Sequence, residues 1–221
     1  VFIEGLQDNG FKITPAQLKS ALTPRTKLFI LNSPNNPIGS IYSKTELKEL
    51  AKVLEGTKVV VLSDEMYEKI RYDGVEFASF AAVSEDALQR TVSLALSKRV
   101  TINGLSKCGA MPGWRFGYMA SKNAELNAAV KRLQGQSTGN INAIVQHAAI
   151  CALRGETDKD IAFMQSEFQK RRDKACELIG EIQGLSVYKP QGAFYLFVSI
   201  KAVEQSSMKF SQELLARSLL Y

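Results

Sequence analysis

Histidine is almost missing from this 221-residue sequence, with His147 as its one example, and only three cysteines are present. A lone histidine leaves no basis for a His-rich metal site, so no metal ligand set is expected. His147 falls in an apolar run over residues 144–150 and reads as a packed or interface side chain. Cys108, Cys151 and Cys176 have no C-x-x-C spacing. They fit a reducing compartment better than a disulfide framework or a zinc motif. No apolar run reaches membrane length and no signal-peptide pattern is seen. A cytoplasmic protein without a membrane partner is therefore expected. Internal repeats and low-complexity stretches are also lacking.

What is present is an ordinary globular composition, 45% hydrophobic and 23% charged. That is enough for a large domain plus part of a second. The net charge of +6 would suit nucleic acid, but the 28 lysines and arginines are dispersed. Without a recognition motif they read as solvated helix faces, and no nucleic-acid partner is expected. The chain opens at Val1 rather than at a methionine and ends at Tyr221 inside a helical pattern, so it reads as a piece of a longer protein.

Strand-length apolar runs alternate with helix signals along the chain. Residues 27–31 and 58–62 read as buried parallel strands. Thr14-Pro15 reads as the cap and first residue of one helix. Residues 43–54 read as another helix, opened by a capping box of Ser43 and Glu46. Beyond them come a loop and helix over 73–89, a strand over 115–120 and a helix over 123–133. A polar loop over 134–140, a buried helix over 142–153 and a long helix over 158–183 capped by Asp158 follow. Strand pairs are expected within 186–200. This alternation predicts an α/β fold with a doubly wound, mainly parallel sheet. Residues 1–157 form its large domain; residues 158–221 form a linking helix and the start of a smaller α+β domain.

The most informative stretch is Gly104-Leu105-Ser106-Lys107-Cys108-Gly109-Ala110-Met111-Pro112-Gly113-Trp114-Arg115-Phe116-Gly117-Tyr118. It sets a lysine at the end of a β-rich run and an arginine eight positions later, between an aromatic residue and a further Phe-Gly pair. A lysine amine whose pKa is lowered attacks carbonyls to give Schiff bases. An arginine fork grips phosphate bidentately. A ligand carrying both an aldehyde and a phosphate would satisfy the two, and pyridoxal phosphate (PLP) is such a ligand.

This stretch resembles the lysine motif of class I/II aminotransferases, the aspartate aminotransferase family of fold-type-I PLP enzymes. Two more segments resemble the family in the same order. Asn32-Ser33-Pro34-Asn35-Asn36-Pro37-Ile38-Gly39 is similar to its N-P-x-N-P-T-G loop, and Ser63-Asp64-Glu65-Met66-Tyr67 to its D-E-x-Y motif. Gly192-Ala193-Phe194-Tyr195 resembles the G-A-F-Y at the start of the small domain. The resemblance implies that Lys107 carries the cofactor, Asp64 faces its ring nitrogen, and Asn36 and Tyr67 bind the ring oxygen. It further implies that Arg115, helped by Ser106, holds the phosphate. Catalysis would then rest on Lys107, Asp64 and Tyr67. The implied activity is transfer of an amino group between an amino acid, aspartate foremost, and a 2-oxo acid, by a homodimer. Glu65 and Glu68 read as solvated loop acids.

Several positions depart from the family pattern. Ile38 stands where threonine is usual, and Gly104 where many relatives carry a phosphate-binding serine. Ser106, one residue before the lysine on a strand, would point the other way. Residues 93–100 look like extra chain and contain a second Leu-Ser-Lys at Lys98; their alternating pattern could form a strand of its own. No Gly-Trp-Arg follows Lys98, so Lys107 is the chosen nucleophile. Two other readings stay open: a different fold-type-I activity, such as a carbon–sulfur lyase, a decarboxylase or a cyclopropane-forming synthase, or a non-catalytic PLP-binding regulator or inactive module.

Overall fold

Three parallel strands, β1 (Leu28–Asn32), β2 (Val60–Asp64) and β3 (Arg99–Gly104), lie side by side, and β4 (Gly117–Ala120) pairs antiparallel with β3. The sheet belongs to a computed structural model that describes residues 1–83 and 99–217. Lys98 and nearly all of the extra segment over 93–100 lie outside the described residues. The strand that leads into Lys107 takes in the last two residues of that segment, from Arg99 onward. The observed sheet is mainly parallel and carries helices, the expected α/β class.

One face of the sheet is covered by α1 (Pro15–Ala21), α2 (Lys44–Leu54) and the short α3 (Phe80–Val83). Leu18, Leu47, Leu50, Phe80 and Val83 meet Phe29, Leu31, Val59 and Val61 there. Burying each such side chain contributes roughly 1.5–3 kcal/mol. Strand alternation sends Leu28 and Ile30 to the opposite face, where Ile30 is 63% exposed. The predicted caps at Thr14 and Ser43 both form. Ser43 accepts from the Glu46 amide while Glu46 accepts from the Ser43 amide. Thr14 does the same with Gln17, a reciprocal pair the sequence reading had not included.

After β3 come a single turn, α4 (Leu105–Cys108), then α5 (Ala124–Ser137), α6 (Ala143–Leu153), α7 (Asp158–Gly180) and α8 (Ser207–Arg217). Several expectations need correction. Helix α5 runs through four residues expected to be loop, because glutamines favour helix and the left-handed Gly139 ends it later. Helix α6 is apolar apart from Gln146 and His147 but buries only Ala149 and Ala152, and Ile144 is 73% exposed. His147 is exposed with it, so its packed reading fails within this chain. Asp158 is not the cap of α7. Thr157 holds that position, with its hydroxyl buried and unpaired among the described residues, and Asp158 bonds Lys69 Nζ at 2.8 Å. Among the described residues, no helix is long and apolar enough to cross a membrane.

The strand pairs expected over 186–200 shrink to β5 (Ser186–Val187) and β6 (Val198–Ser199). The reason is that the intervening amides are used elsewhere. Gln191 and Gly192 N–H both donate to Gly39 O, at 2.9 and 2.8 Å, and Ala193 N–H donates to Ile70 O.

Arg172, 5% exposed on α7, holds this segment in place. A guanidinium has five N–H donors. Here Nε and Nη2 donate to Asp173, Nη1 and Nη2 to both Asp73 oxygens, and Nη1 also to Pro190 O. The group also stacks 4.6 Å from the Tyr72 ring centroid. Replacing it with methionine should keep most of the volume and lose every bond. Arg172→Met is expected to lower the unfolding free energy by about 1–3 kcal/mol. In hydrogen exchange, the Tyr72, Gln191 and Ala193 amides should lose protection first; unchanged protection there would remove Arg172 as the clasp.

Candidate active site

β1 and β2 end level with each other, Asn32 opposite Asp64, and β3 runs on to Gly104. Loops leaving the carboxyl ends of parallel strands are where such sheets collect ligand groups. Each end here carries one of the sequence-predicted segments.

The first loop is set by Asn32. Its side-chain amide donates to Asp64 O and Pro34 O, and its Oδ1 accepts the Asn36 N–H at 2.7 Å. Asn36 is thereby held at the rim with its side chain exposed. Ile38 does not break the loop, because its N–H donates to Asn35 Oδ1.

At the end of β2, Asp64 is half-buried and its Oδ1 accepts the Met66 N–H at 3.2 Å. Tyr67 is 4% exposed, its hydroxyl 2.6 Å from that of Tyr195. Burial pushes the Tyr67 phenol well above its ordinary pKa. The Tyr195 hydroxyl and the Asp64 charge push the same way, while a hydrogen bond from the Asn36 side chain opposes them. Asn36, Asp64 and Tyr67 thus act on one another directly.

Glu65 corrects the solvated-acid reading. It is 3% exposed, and its Oε1 accepts from Ser63 Oγ, Ser79 Oγ and the Phe80 N–H. It braces the start of the D-E-x-Y segment from behind. Glu68, by contrast, is partly exposed.

The third loop begins with α4, whose amide at Leu105 donates to Phe116 O. Ser106 and Lys107 therefore sit on a helical turn, not on a strand, and the opposite-face argument for Ser106 does not apply. Both are half-buried. Lys107 Nζ lies 5.6 Å from the centroid of Phe194, and the same ring meets Tyr67 edge-on at 5.4 Å. Cys108 locks the turn, its thiol donating to Met66 O and accepting the Lys69 N–H. Burial pushes that thiol up to about 11, so it packs as a neutral group. Gly104 has a reason to be glycine, since an added Cβ would lie 2.8 Å from Phe116 O and 3.1 Å from Gly117 Cα. A serine there could not fit without moving β4.

Arg115 is exposed, with φ of +52°, and donates through Nη1 to Pro112 O at 2.8 Å. Most of its donors point to no other group among the hydrogen bonds described. Tyr67 meets both Phe194 and Tyr195, Lys107 lies over Phe194, and Asp64 and Asn36 act on Tyr67, whereas no contact among the described residues ties Arg115 to that aromatic group. The sequence reading missed Asn32, Cys108, Phe194 and Tyr195 as site residues. A polar side chain at a strand's carboxyl end was a usable signal for Asn32. For the others no local signal exists, because their role depends on partners 39 to 128 residues away.

Chemically, this donor set is an amine beside a phenol, a carboxamide and a half-buried carboxylate, with an exposed guanidinium nearby in sequence. It fits an aromatic aldehyde with a ring hydroxyl, a basic ring nitrogen and a phosphate, the features of PLP. The fold is α/β, and the donor set at its strand ends is one that suits PLP. The model of the family "Aminotransferase class I and II" matches residues 2–221, and the chain belongs to that family. The family uses pyridoxal phosphate. The chain is 43% identical over 197 residues to an aspartate aminotransferase of Geobacillus stearothermophilus, covering 89% of this chain and 48% of that protein. It is 38% identical over 220 residues to an aspartate aminotransferase of Bacillus sp. (strain YM-2), covering 100% and 54%. The crystal structure of an aspartate aminotransferase from Rhizobium meliloti superposes with a TM-score of 0.87 at 34% identity, over 96% of this chain and 53% of that one. The chain spans about half the length of the relatives it matches.

The buried Glu65 gives a pH prediction. Burial raises its pKa above the ordinary 4.5, so the folded state disfavours its ionised form. Its stabilising contribution is complete below that value and is lost as pH rises through the raised one. Glu65→Gln keeps an oxygen for all three donors without the charge. Urea unfolding followed from acid to neutral pH should show the variant gaining on the wild type as pH rises. A constant difference would mean that Glu65 has the same pKa folded and unfolded.

Proposed function

We propose that the whole protein is a PLP-dependent aminotransferase that moves an amino group between an amino acid, aspartate first, and a 2-oxo acid. The observation that carries this reading is the meeting of Lys107 and Tyr67 at Phe194, with Asp64 and Asn36 acting on Tyr67. The relatives' names support aspartate as donor. We also read the protein as a homodimer, which the bare apolar faces of α6 support.

PLP, when bound, supplies an electron sink for a carbanion at the substrate α-carbon. The protein's share is orientation and proton handling. Lys107 would hold PLP through its Nζ and would serve as the base for the α-carbon proton, help of the kind that contributes ~10²–10⁴-fold. The Asp64 carboxylate balances a proton on the ring nitrogen. Tyr67 and Asn36 donate to the ring oxygen. Arg115 would offer a bidentate fork to the phosphate, and Ser106 would add a hydroxyl.

In the full-length protein, aspartate and 2-oxoglutarate should give oxaloacetate and glutamate. Borohydride reduction followed by peptide mapping should place the pyridoxyl group on Lys107; a label on Lys98 would reassign the motif. Asp64→Ala should still be labelled at Lys107 but turn over roughly 10²–10³-fold more slowly, as when one partner of a buried pair is removed. Near-normal turnover would exclude Asp64 as the ring-nitrogen partner.

A further inference from the structure

Tyr195 lies 128 residues from Tyr67, on a segment with no catalytic part in the reading above, yet their hydroxyls meet at 2.6 Å. Two phenols bring two protons to such a pair, and only one can occupy the bond between the oxygens. If Tyr67 supplied it, Tyr67 would have only lone pairs left for any ligand. If Tyr195 supplies it, the Tyr67 proton stays free.

We propose that Tyr195 is a positioning residue that donates its hydroxyl proton to the Tyr67 oxygen, so that the Tyr67 proton points at the ring oxygen of PLP. This rests on the reading of Tyr67 as a ring-oxygen donor.

Several features hold Tyr195 to that task. Its ring packs edge-on to Tyr67, centroids 5.7 Å apart, and 4.8 Å from Phe194. The backbone leading to it is pinned by the Ala193 amide on Ile70 O and by the Tyr72 hydroxyl on Ala193 O. Ala193 itself is fully buried at φ +58°, a left-handed conformation that a non-glycine residue keeps only when its surroundings impose it. That bend turns the next two side chains toward Tyr67 and Lys107. A donor that itself accepts hydrogen bonds donates more strongly. The titratable groups around Tyr67 among the described residues are Tyr195, Asp64, the Cys108 thiol of its cluster and, across Phe194, Lys107.

The experiment is a pH titration of the visible absorbance of PLP bound to the full-length holoenzyme. It compares wild type, Tyr195→Phe, Tyr67→Phe and the double variant, with borohydride labelling of Lys107 as the check that PLP is seated. Donation to the ring oxygen favours its anionic form. A weakened donor therefore raises the pH at which the chromophore loses its proton. Tyr195→Phe should raise that midpoint by about 0.1–0.7 pH units. In the Tyr67→Phe background, Tyr195→Phe should add nothing, because its effect passes through the Tyr67 oxygen. An unmoved midpoint in Tyr195→Phe alongside a shifted one in Tyr67→Phe would reduce Tyr195 to packing and overturn the proposal. Equal shifts in both backgrounds would overturn it too. No shift in Tyr67→Phe, with Lys107 still labelled, would instead remove the ring-oxygen role of Tyr67 and the proposal with it. Should Tyr195→Phe fail to fold, 3-fluorotyrosine at position 195, a more acidic donor of nearly the same shape, should lower the midpoint; a rise or no change would overturn the proposal.

Discussion

The contact between Gly39 and Gly192 is the constraint on which the site depends. Two successive amides, Gln191 and Gly192, converge on the Gly39 carbonyl, and the two backbones approach so closely that neither residue could carry a side chain. A Cβ on Gly39 would lie 2.4 Å from Gly192 O, and one on Gly192 would lie 2.7 Å from Ile70 O. Gly39 also needs φ of +76°, which glycine reaches at little cost. This approach carries the G-A-F-Y segment onto the loops that follow β1 and β2. Arg172 then holds the Pro190 carbonyl from α7. Without that stitch Phe194 and Tyr195 would have no reason to face Tyr67 and Lys107.

The charges around the site follow a consistent arrangement. Deeply buried polar groups are neutralised or saturated: Glu65 by three donors, Arg172 by two aspartates and a carbonyl, Cys108 by remaining a thiol. Of the groups proposed for a ligand, Asn36, Asp64, Lys107 and Arg115 are the less buried, and the buried one, Tyr67, is a neutral phenol. Buried unpaired charge is costly, so a framework that settles its own charges can leave reactive groups at the rim without weakening the core.

Local chemistry was the legible part of the sequence. The capping box at Ser43, the cap at Thr14 and the apolar runs that became β1 and β2 all act within a few residues, and pattern reading finds such signals. The order of Asn36, Asp64 and Lys107 at successive strand ends was legible too, through the resemblance. What escaped depended on distant partners. Glu65 looks like any loop acid until Ser79 and the Phe80 amide are folded against it. Ser186 to Ile200 alternates like paired strands, yet Gly39 and Ile70 take the amides a longer ladder would need. The apolar residues of α6 signalled burial, but nothing among the described residues covers Ile144 or Leu153.

Lys107 illustrates how a change of period changes chemistry. On a continuing strand, Leu105 and Lys107 would share a face two residues apart, and burying the leucine would bury the amine. The chain instead makes one helical turn, in which Gly109 and Met111 amides return to Leu105 O. Residues three apart now share a face, so Leu105 and Cys108 are the two that go inward. Leu105 enters the cluster with Ala149 and Ala152, and Cys108 the one with Tyr67 and Ile70. Two separate cores hold the turn, and Ser106 and Lys107 are left half-exposed above it. Gly104 makes the switch possible, since only a residue without a side chain lets β4 lie close where the strand stops and the turn begins. The missing serine of the family pattern and the accessible lysine are thus two results of one backbone decision.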